Sequence, residues 1–334
     1  MSSPQPIVTF AFNGDADGII SQHLVKISGI MPANRITGLK RDLKLLARLP
    51  ASGTSEPLDL HVFDINLRDN LSDLLRLLEN PATTVRWHDH HEPGEIPPAL
   101  SLSGRFAHRI VTARGTCTAL LTHADYPGAD PRWAAMAAYG DNIPEAAEAL
   151  LKPLGLHPLE VREICEAGEL VNYNAYGEDE SDVLFQPLEV AERMAPFTQA
   201  DKFIRESGLI GPLRDQFRDD QHSMGGLVAD EELSGAALYR LPDAAWARRL
   251  GSTFANRAAL ADPGRAIAAL HPLRDGSFQV SIRAPRGRKD AAAASTLASE
   301  FPSGGGRALA AGINQLPASD VDRFARRFFE TYRA

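Results

Sequence analysis

Apolar residues in the first third of the chain fall into short runs that close on polar clusters. IVTFAF (7–12) is apolar, partly β-branched, and ends in NGDADG. LDLHVFDIN (58–66) and TTVRWHDHH (83–91) repeat the arrangement. Runs of this length and composition predict strands. Between them, 19–30 reads as a helix, and Asn70 is placed to cap a second helix that runs through Leu78. Strands alternating with helical runs predict a mostly parallel sheet. Sites in such open sheets gather at the carboxyl ends of the strands, so the three polar clusters are expected to meet in space.

The pattern turns helical from Pro131 to Gly168, with AAMAAYGDNIP in its first half. EDESD (178–182) reads as an acidic breaker, 187–217 as helical, and RDDQHSMGG (218–226) as a hinge ending in a glycine pair. A second unit follows. Strands are expected at 236–240, 267–271, 278–283 and 309–316, and helices at 243–260 and 291–300. A Gly-rich turn precedes the last strand and an amphipathic helix ends the chain. The predicted organisation is an α/β domain over 1–190, a helical linker and hinge over 191–226, and a smaller α/β domain over 227–334, with the active-site cleft between the two domains. No internal repeat of fixed period is present.

Composition narrows the partners. The chain has 334 residues, 23% of them charged, and a net charge of −8, which argues against a long nucleic-acid duplex as partner. The charge is uneven: from Arg265 onward there are 11 Arg or Lys against 6 Asp or Glu, a local +5 that leaves −13 on the rest. Two cysteines, Cys117 and Cys165, predict a reduced, cytoplasmic protein rather than a disulfide framework. The first residues read as no signal peptide. No run of about 18 apolar residues predicts a membrane span.

The candidate chemistry lies where the strands end. Asp15 and Asp17 sit two apart in a loop that Gly14 and Gly18 allow to turn tightly. Asp64 ends the second strand, Asp89, His90 and His91 end the third, and Asp141 follows Gly140 at a helix boundary. A DxD pair in a loop is usually a turn, and Asp64 alone reads as a helix cap. Three histidines around a carboxylate in WHDHH are harder to explain as core or as ordinary surface. Mixed carboxylate and imidazole ligands suit Mn²⁺, and an oxygen-rich set also admits Mg²⁺. His88 reads as a strand residue packing beside the cluster.

FNGDADGI, VFDIN, DHH and GDN, in that order, resemble the four motifs of the DHH phosphoesterase superfamily, which includes RecJ-type exonucleases, NrnA-type oligonucleotide phosphatases and family II inorganic pyrophosphatases. The resemblance implies two metal ions, Mn²⁺ or Mg²⁺. Asp15 and Asp64 would hold one ion; Asp17, Asp64, His90 and Asp141 would hold the other, with Asp64 bridging. Asp89 would orient a neighbouring group, and His91 would lie near the scissile phosphate. Two residues before the first aspartate the family has His or Asp, where this chain has Asn13. An amide oxygen brings no charge, so one weaker metal position is expected.

SGGGRALAAG (303–312) resembles the GGGH…AAG signature of the DHH-associated C-terminal domain, with Arg307 at the histidine. Gly304, Gly305 and Gly306 could point backbone N–H groups at an anion, and Arg307 adds a charged fork. Arg283 matches the family's strand arginine, within a basic stretch holding Arg286, Arg288 and Lys289. NYNAYG (172–177) reads as a helix end with Gly177 beyond it, or as a wall of the cleft. The run from NGDADG through NYNAYG to GGGR also looks like a bacterial branch of the superfamily whose substrate its sequence does not settle. The expected activity is hydrolysis of a short single-stranded oligonucleotide or small nucleotide by two-metal water activation, in a chain that could form a homodimer. Polyphosphate or pyrophosphate hydrolysis is the competing enzyme reading. A non-catalytic nucleotide-binding protein with a degenerate metal site is the other.

Overall fold

Each apolar run of the first third becomes a strand that delivers its polar end to one edge of a parallel sheet. The computed structural model describes residues 5–50, 56–287 and 291–333. They divide into two units, Met1–Asp215 and Gln216–Ala334.

Unit 1 begins with β1 (Ile7–Asn13), α1 (Ala16–Ile27), β2 (Asn34–Gly38), β3 (Leu58–Phe63), α2 (Leu67–Leu78), β4 (Thr83–Asp89), α3 (Pro98–Leu102) and β5 (Phe106–Ile110). Its sheet has the order β2-β1-β3-β4-β5, with every neighbouring pair parallel. Register aligns Phe12 with Phe63 and Phe63 with His88. The residues that follow, Asn13, Asp64 and Asp89, therefore lie level at the C-terminal edge. Below that edge, Leu60, Val62, Val85 and Trp87 pack with Leu74, Leu77 and Leu78 of α2.

The helical half comprises α4 (Thr118–Asp125), α5 (Pro131–Gly140), α6 (Pro144–Leu151), α7 (Pro158–Asn174), α8 (Pro187–Met194), α9 (Ala200–Glu206) and α10 (Ile210–Gly225). The single helical stretch expected over 131–168 is broken twice. Pro144 and Pro158 each open a new helix, where a missing N–H and a fixed φ cost nothing. Helix α1 starts at Ala16 rather than residue 19, because Asp15 caps it. Asn66, not Asn70, caps α2. Asn70 is buried and ties the 45–48 turn to that helix: its Oδ1 accepts from the Leu46 N–H at 3.2 Å and its Nδ2 donates to Leu43 O at 2.6 Å. The stretch read as a hinge, 218–226, is helical through Gly225, and the boundary between the units falls inside α10. The strands β2 and β5 and the helix α4 have no counterpart in the pattern of the sequence.

Unit 2 contains β6 (Glu231–Leu233), β7 (Ala236–Arg240), α11 (Ala245–Ala261), β8 (Ala266–Pro272), β9 (Phe278–Arg283), α12 (Ala294–Ala298), β10 (Gly304–Gly306), β11 (Ala310–Leu316) and α13 (Val321–Thr331). Its sheet runs β10-β11-β9-β8-β7-β6, with β7 and β8 the parallel pair. Phe324 and Phe328 from the apolar stripe of α13 join Leu297, Phe301, Ile282 and Ile313 in its core. Among the described residues no helix is long and apolar enough to cross a membrane.

Candidate metal centre

The turn after β1 is tight enough to require glycine at two positions. A Cβ on Gly14 would sit 2.0 Å from Gly38 O, and one on Gly18 would sit 2.2 Å from Asn13 O. This turn places Asp15 at the cap of α1, where its Oδ1 accepts from the N–H groups of Asp17 and Gly18, both at 3.1 Å. Asp17 lies in the first helical turn and is buried. Its two oxygens accept from the N–H groups of Thr118 and Ala119 at 2.7 Å each, the opening residues of α4. Charge-assisted bonds of this kind hold a buried carboxylate in place.

Asp64 leaves β3 with φ of 56°, in the left-handed region. Its Oδ1 accepts from Thr118 Oγ1 at 3.2 Å and lies 3.4 Å from His90 Nε2. Asp141 ends α5 with its Oδ2 3.5 Å from the same nitrogen, and Asp17 Oδ2 lies 3.9 Å away. Burial, then the charges of Asp15, Asp17, Asp141 and Asp89, pushes the Asp64 carboxyl well above the usual range. Burial and the charges of Asp17 and Asp15 raise Asp141 to about 6. So many buried carboxylates in mutual contact call for a cation.

His90 is oriented for one. Its Nδ1 lies 3.2 Å from Thr116 O, so Nδ1–H donates to that carbonyl and Nε2 faces the three carboxylates. Ligand atoms of Asp17, His90 and Asp141 lie within 4.8 Å of one another, as do those of Asp64, His90 and His91. Three carboxylates and one imidazole fit a divalent ion such as Mn²⁺ or Mg²⁺.

Asp89, fully buried, accepts through Oδ1 from the His90 N–H at 2.8 Å and from His91 Nδ1 at 2.7 Å. Its Oδ2 is buried without a hydrogen-bond partner. Burial disfavours a charged His91, but the Asp89 hydrogen bond and the carboxylates outweigh it, and the imidazole pKa is raised. His88 faces elsewhere: its Nε2 is 3.0 Å from Asp125 and its ring stacks on Phe63.

Lys40, two residues beyond β2, carries no signal in the sequence and yet stands in the site. Its Nζ lies 2.6 Å from Asp15 Oδ2, 3.4 Å from Asn172 Oδ1 and 3.7 Å from Asp141 Oδ1. Asn13 is buried beside it, with Oδ1 accepting from the Asp15 N–H at 3.3 Å. Lys40, Asn13, Asp15, Asp64, His90, His91 and Asp141 line a cavity of about 300 Å³, with Arg68 on its wall. Of the NYNAYG run, Asn172 and the Tyr176 ring meet Lys40. Asn174 is structural: it donates to Phe185 O and accepts from the N–H groups of Leu184 and Phe185. Helix α7 ends at Asn174, with Gly177 beyond it.

In unit 2 the glycine run is not a turn. Gly304, Gly305 and Gly306 form β10, paired with Ile313, Gly312 and Ala311. The Gly304 N–H donates to Phe301 O, and a Cβ there would meet Ala298 O at 1.8 Å. Gly304 and Gly306 permit close packing of a hairpin, a Cβ on Gly306 sitting 2.5 Å from Ala311 Cα. Arg307 follows, exposed, its N–H donating to Ala310 O. Arg283 is partly buried, with Nε donating to Asn256 Oδ1 at 2.7 Å and Nη1 to Ile282 O at 2.9 Å. Arg288 and Lys289 lie outside the described residues.

No family model matches the sequence, and no curated protein matches it. Solved structures do share its fold. Exonuclease RecJ bound to manganese superposes with a TM-score of 0.60 over 96% of this chain and 88% of its own, at 17% identity. The DHH domain of a protein described as belonging to a family of ribosomal proteins gives 0.62 over 97% and 86%, at 12% identity. The pGpG-specific phosphodiesterase PggH from Vibrio cholerae gives 0.50 over 96% of each chain, at 12% identity.

Proposed function

From a chain that has the fold of the DHH-domain proteins, we propose a divalent-metal-dependent hydrolase of phosphoesters. One observation carries the reading: His90 Nε2 faces Asp17, Asp64 and Asp141 at 3.4–3.9 Å while its Nδ1 is tied to a carbonyl. The ion held by these four residues would supply charge neutralisation for a phosphoryl group and a water of lowered pKa. Thr118 and Ala119 fix Asp17, and Thr118 Oγ1 fixes Asp64, so the ligands keep their places as the reaction proceeds. Asp89 holds His91 through Nδ1, which leaves the other ring nitrogen free to donate to a phosphoryl oxygen as charge develops. Lys40 and Arg68 add fixed positive charge to the cavity wall. In unit 2, Arg283 and Arg307 are the groups proposed to contact a further phosphate.

The substrate class proposed is a short single-stranded oligonucleotide or small nucleotide, with Mn²⁺ as the preferred ion. The support is a small cavity, a chain of net charge −8, and fold neighbours that include an exonuclease and a pGpG phosphodiesterase. Two free thiols fit a reduced, cytoplasmic setting. Purified protein is assayed with Mn²⁺ against bis-p-nitrophenyl phosphate, dinucleotides, short oligonucleotides and tripolyphosphate. Hydrolysis of the nucleotide substrates, lost in His90→Ala and Asp64→Asn, is the expected result. Turnover of tripolyphosphate alone moves the assignment to polyphosphate. Unchanged activity in His90→Ala overturns the metal mechanism.

A further inference from the structure

We infer that the Lys40 ammonium takes the place of one of the two metal ions that the sequence motifs imply, so that the centre holds a single divalent ion. The inference rests on the phosphoesterase reading above and sets its ion count at one, where the motif resemblance implies two. Asp15, the ligand expected for the first ion, is already committed: Oδ1 accepts from two backbone N–H groups and Oδ2 from Lys40 at 2.6 Å. Asn13, its expected companion, has its amide oxygen on the Asp15 N–H. Lys40 is held from several sides. Its backbone N–H donates to Ala175 O at 3.2 Å, its Nζ donates to Asn172 Oδ1, and the Tyr176 ring lies 5.4 Å from the ammonium. A cation built in by three residues around the end of α7 needs no recruitment from solvent. An ammonium within 4 Å of both Asp15 and Asp141 also repels a divalent ion arriving at Asp15. The ligands around His90 Nε2 stay clear of Lys40 through Asp17 and Asp64, and they suffice for one ion.

Manganese stoichiometry tests this without reference to turnover. Isothermal titration and electron paramagnetic resonance are run on the full chain, on Asn13→Asp, and on the Lys40→Met/Asn13→Asp double variant, with circular dichroism confirming each fold. The wild-type protein and Asn13→Asp are expected to bind one Mn²⁺ with the spectrum of an isolated ion. The double variant is expected to bind two with an exchange-coupled spectrum. Two coupled ions in the wild-type protein or in Asn13→Asp overturn the inference and leave the phosphoesterase reading intact. A double variant that still takes one ion also overturns it, because Lys40 is then not what excludes the second. No Mn²⁺ bound by any of the three overturns both.

Discussion

The Asp89 carboxylate makes both of its hydrogen bonds through one oxygen, to the backbone of His90 and the ring of His91, while its other oxygen is buried without a partner. It therefore acts by orienting the two histidines. Asp89→Asn keeps the shape but weakens the bond to His91, and outer partners of this kind are worth about 10–100-fold. The expected outcome is a fall of that size in kcat with Mn²⁺ stoichiometry unchanged, read by steady-state kinetics and titration. His23 makes a second prediction. It is buried against Trp133 with Nε2 2.8 Å from Phe197 O, and burial lowers its pKa to about 3. Between that value and the ordinary one of about 6.5, the unfolded chain binds the proton and the folded chain does not, so stability falls as pH drops through this window. Urea midpoints at pH 7.5 and 5.5 should show the wild-type protein losing about 1 kcal/mol more than His23→Gln. At this scale the sequence shows which side chains sit at strand ends, Asp64, Asp89, His90 and His91 among them, although Asp64 taken alone reads as a helix cap. Lys40 is not legible, because a single lysine in a polar loop looks like every other solvated lysine until Asn172, 132 residues on, and Tyr176 close on it.

Elements place the candidate ligands through their ends. Helix α4 contributes two N–H groups to Asp17 and a hydroxyl to Asp64, yet its eight residues carry no periodic signal that separates them from loop. Thr118 is the first residue of that helix, where proline is tolerated, and Cys117 before it is already extended. Thr118→Pro thus removes one donor from Asp17, and the hydroxyl from Asp64, while sparing the helix. Mn²⁺ affinity is expected to drop about 10–100-fold with little change in the circular dichroism. Gly18 makes a companion case. A methyl group there meets Asn13 O at 2.2 Å, and overpacking of this kind costs about 1–3 kcal/mol. Gly18→Ala should lower the denaturation midpoint accordingly. The glycine run of β10 departs from the expected turn for a related reason. Three glycines carry no side-chain alternation, so a strand made of them cannot be told from a turn until its partner β11 is seen.

Over the whole molecule, the candidate ligands run from Asp15 to Asp141 and come together only when β1, β3, β4 and α5 are all in place. Parallel pairing makes this arrangement legible in outline, since four polar clusters at strand and helix ends have one edge on which to meet. The boundary between units is less legible, because it falls within a continuous helix rather than in the expected glycine-rich hinge. An unfolded chain has no such cluster, so an ion held there would favour the folded form and should stabilise it by about 2.7 kcal/mol at a hundredfold excess over its dissociation constant. Thermal unfolding with graded Mn²⁺ checks this: a Tm independent of Mn²⁺ would count against the centre. Arg307, exposed in unit 2, should behave differently. Arg307→Ala is expected to raise KM severalfold for nucleotide substrates while leaving that Mn²⁺-dependent shift in place.

The backbone twist at Asp64 has an implication for which sequences this chain can drift toward. Of the twenty residues, glycine sits most easily at a φ of 56°, with asparagine and aspartate next. Glutamate, the other carboxylate, would combine backbone strain with an extra methylene that moves the carboxylate away from its contacts with Thr118 Oγ1 and His90 Nε2. A library at position 64 sorted for folding alone should therefore enrich asparagine and glycine, and one sorted for hydrolysis should return aspartate only.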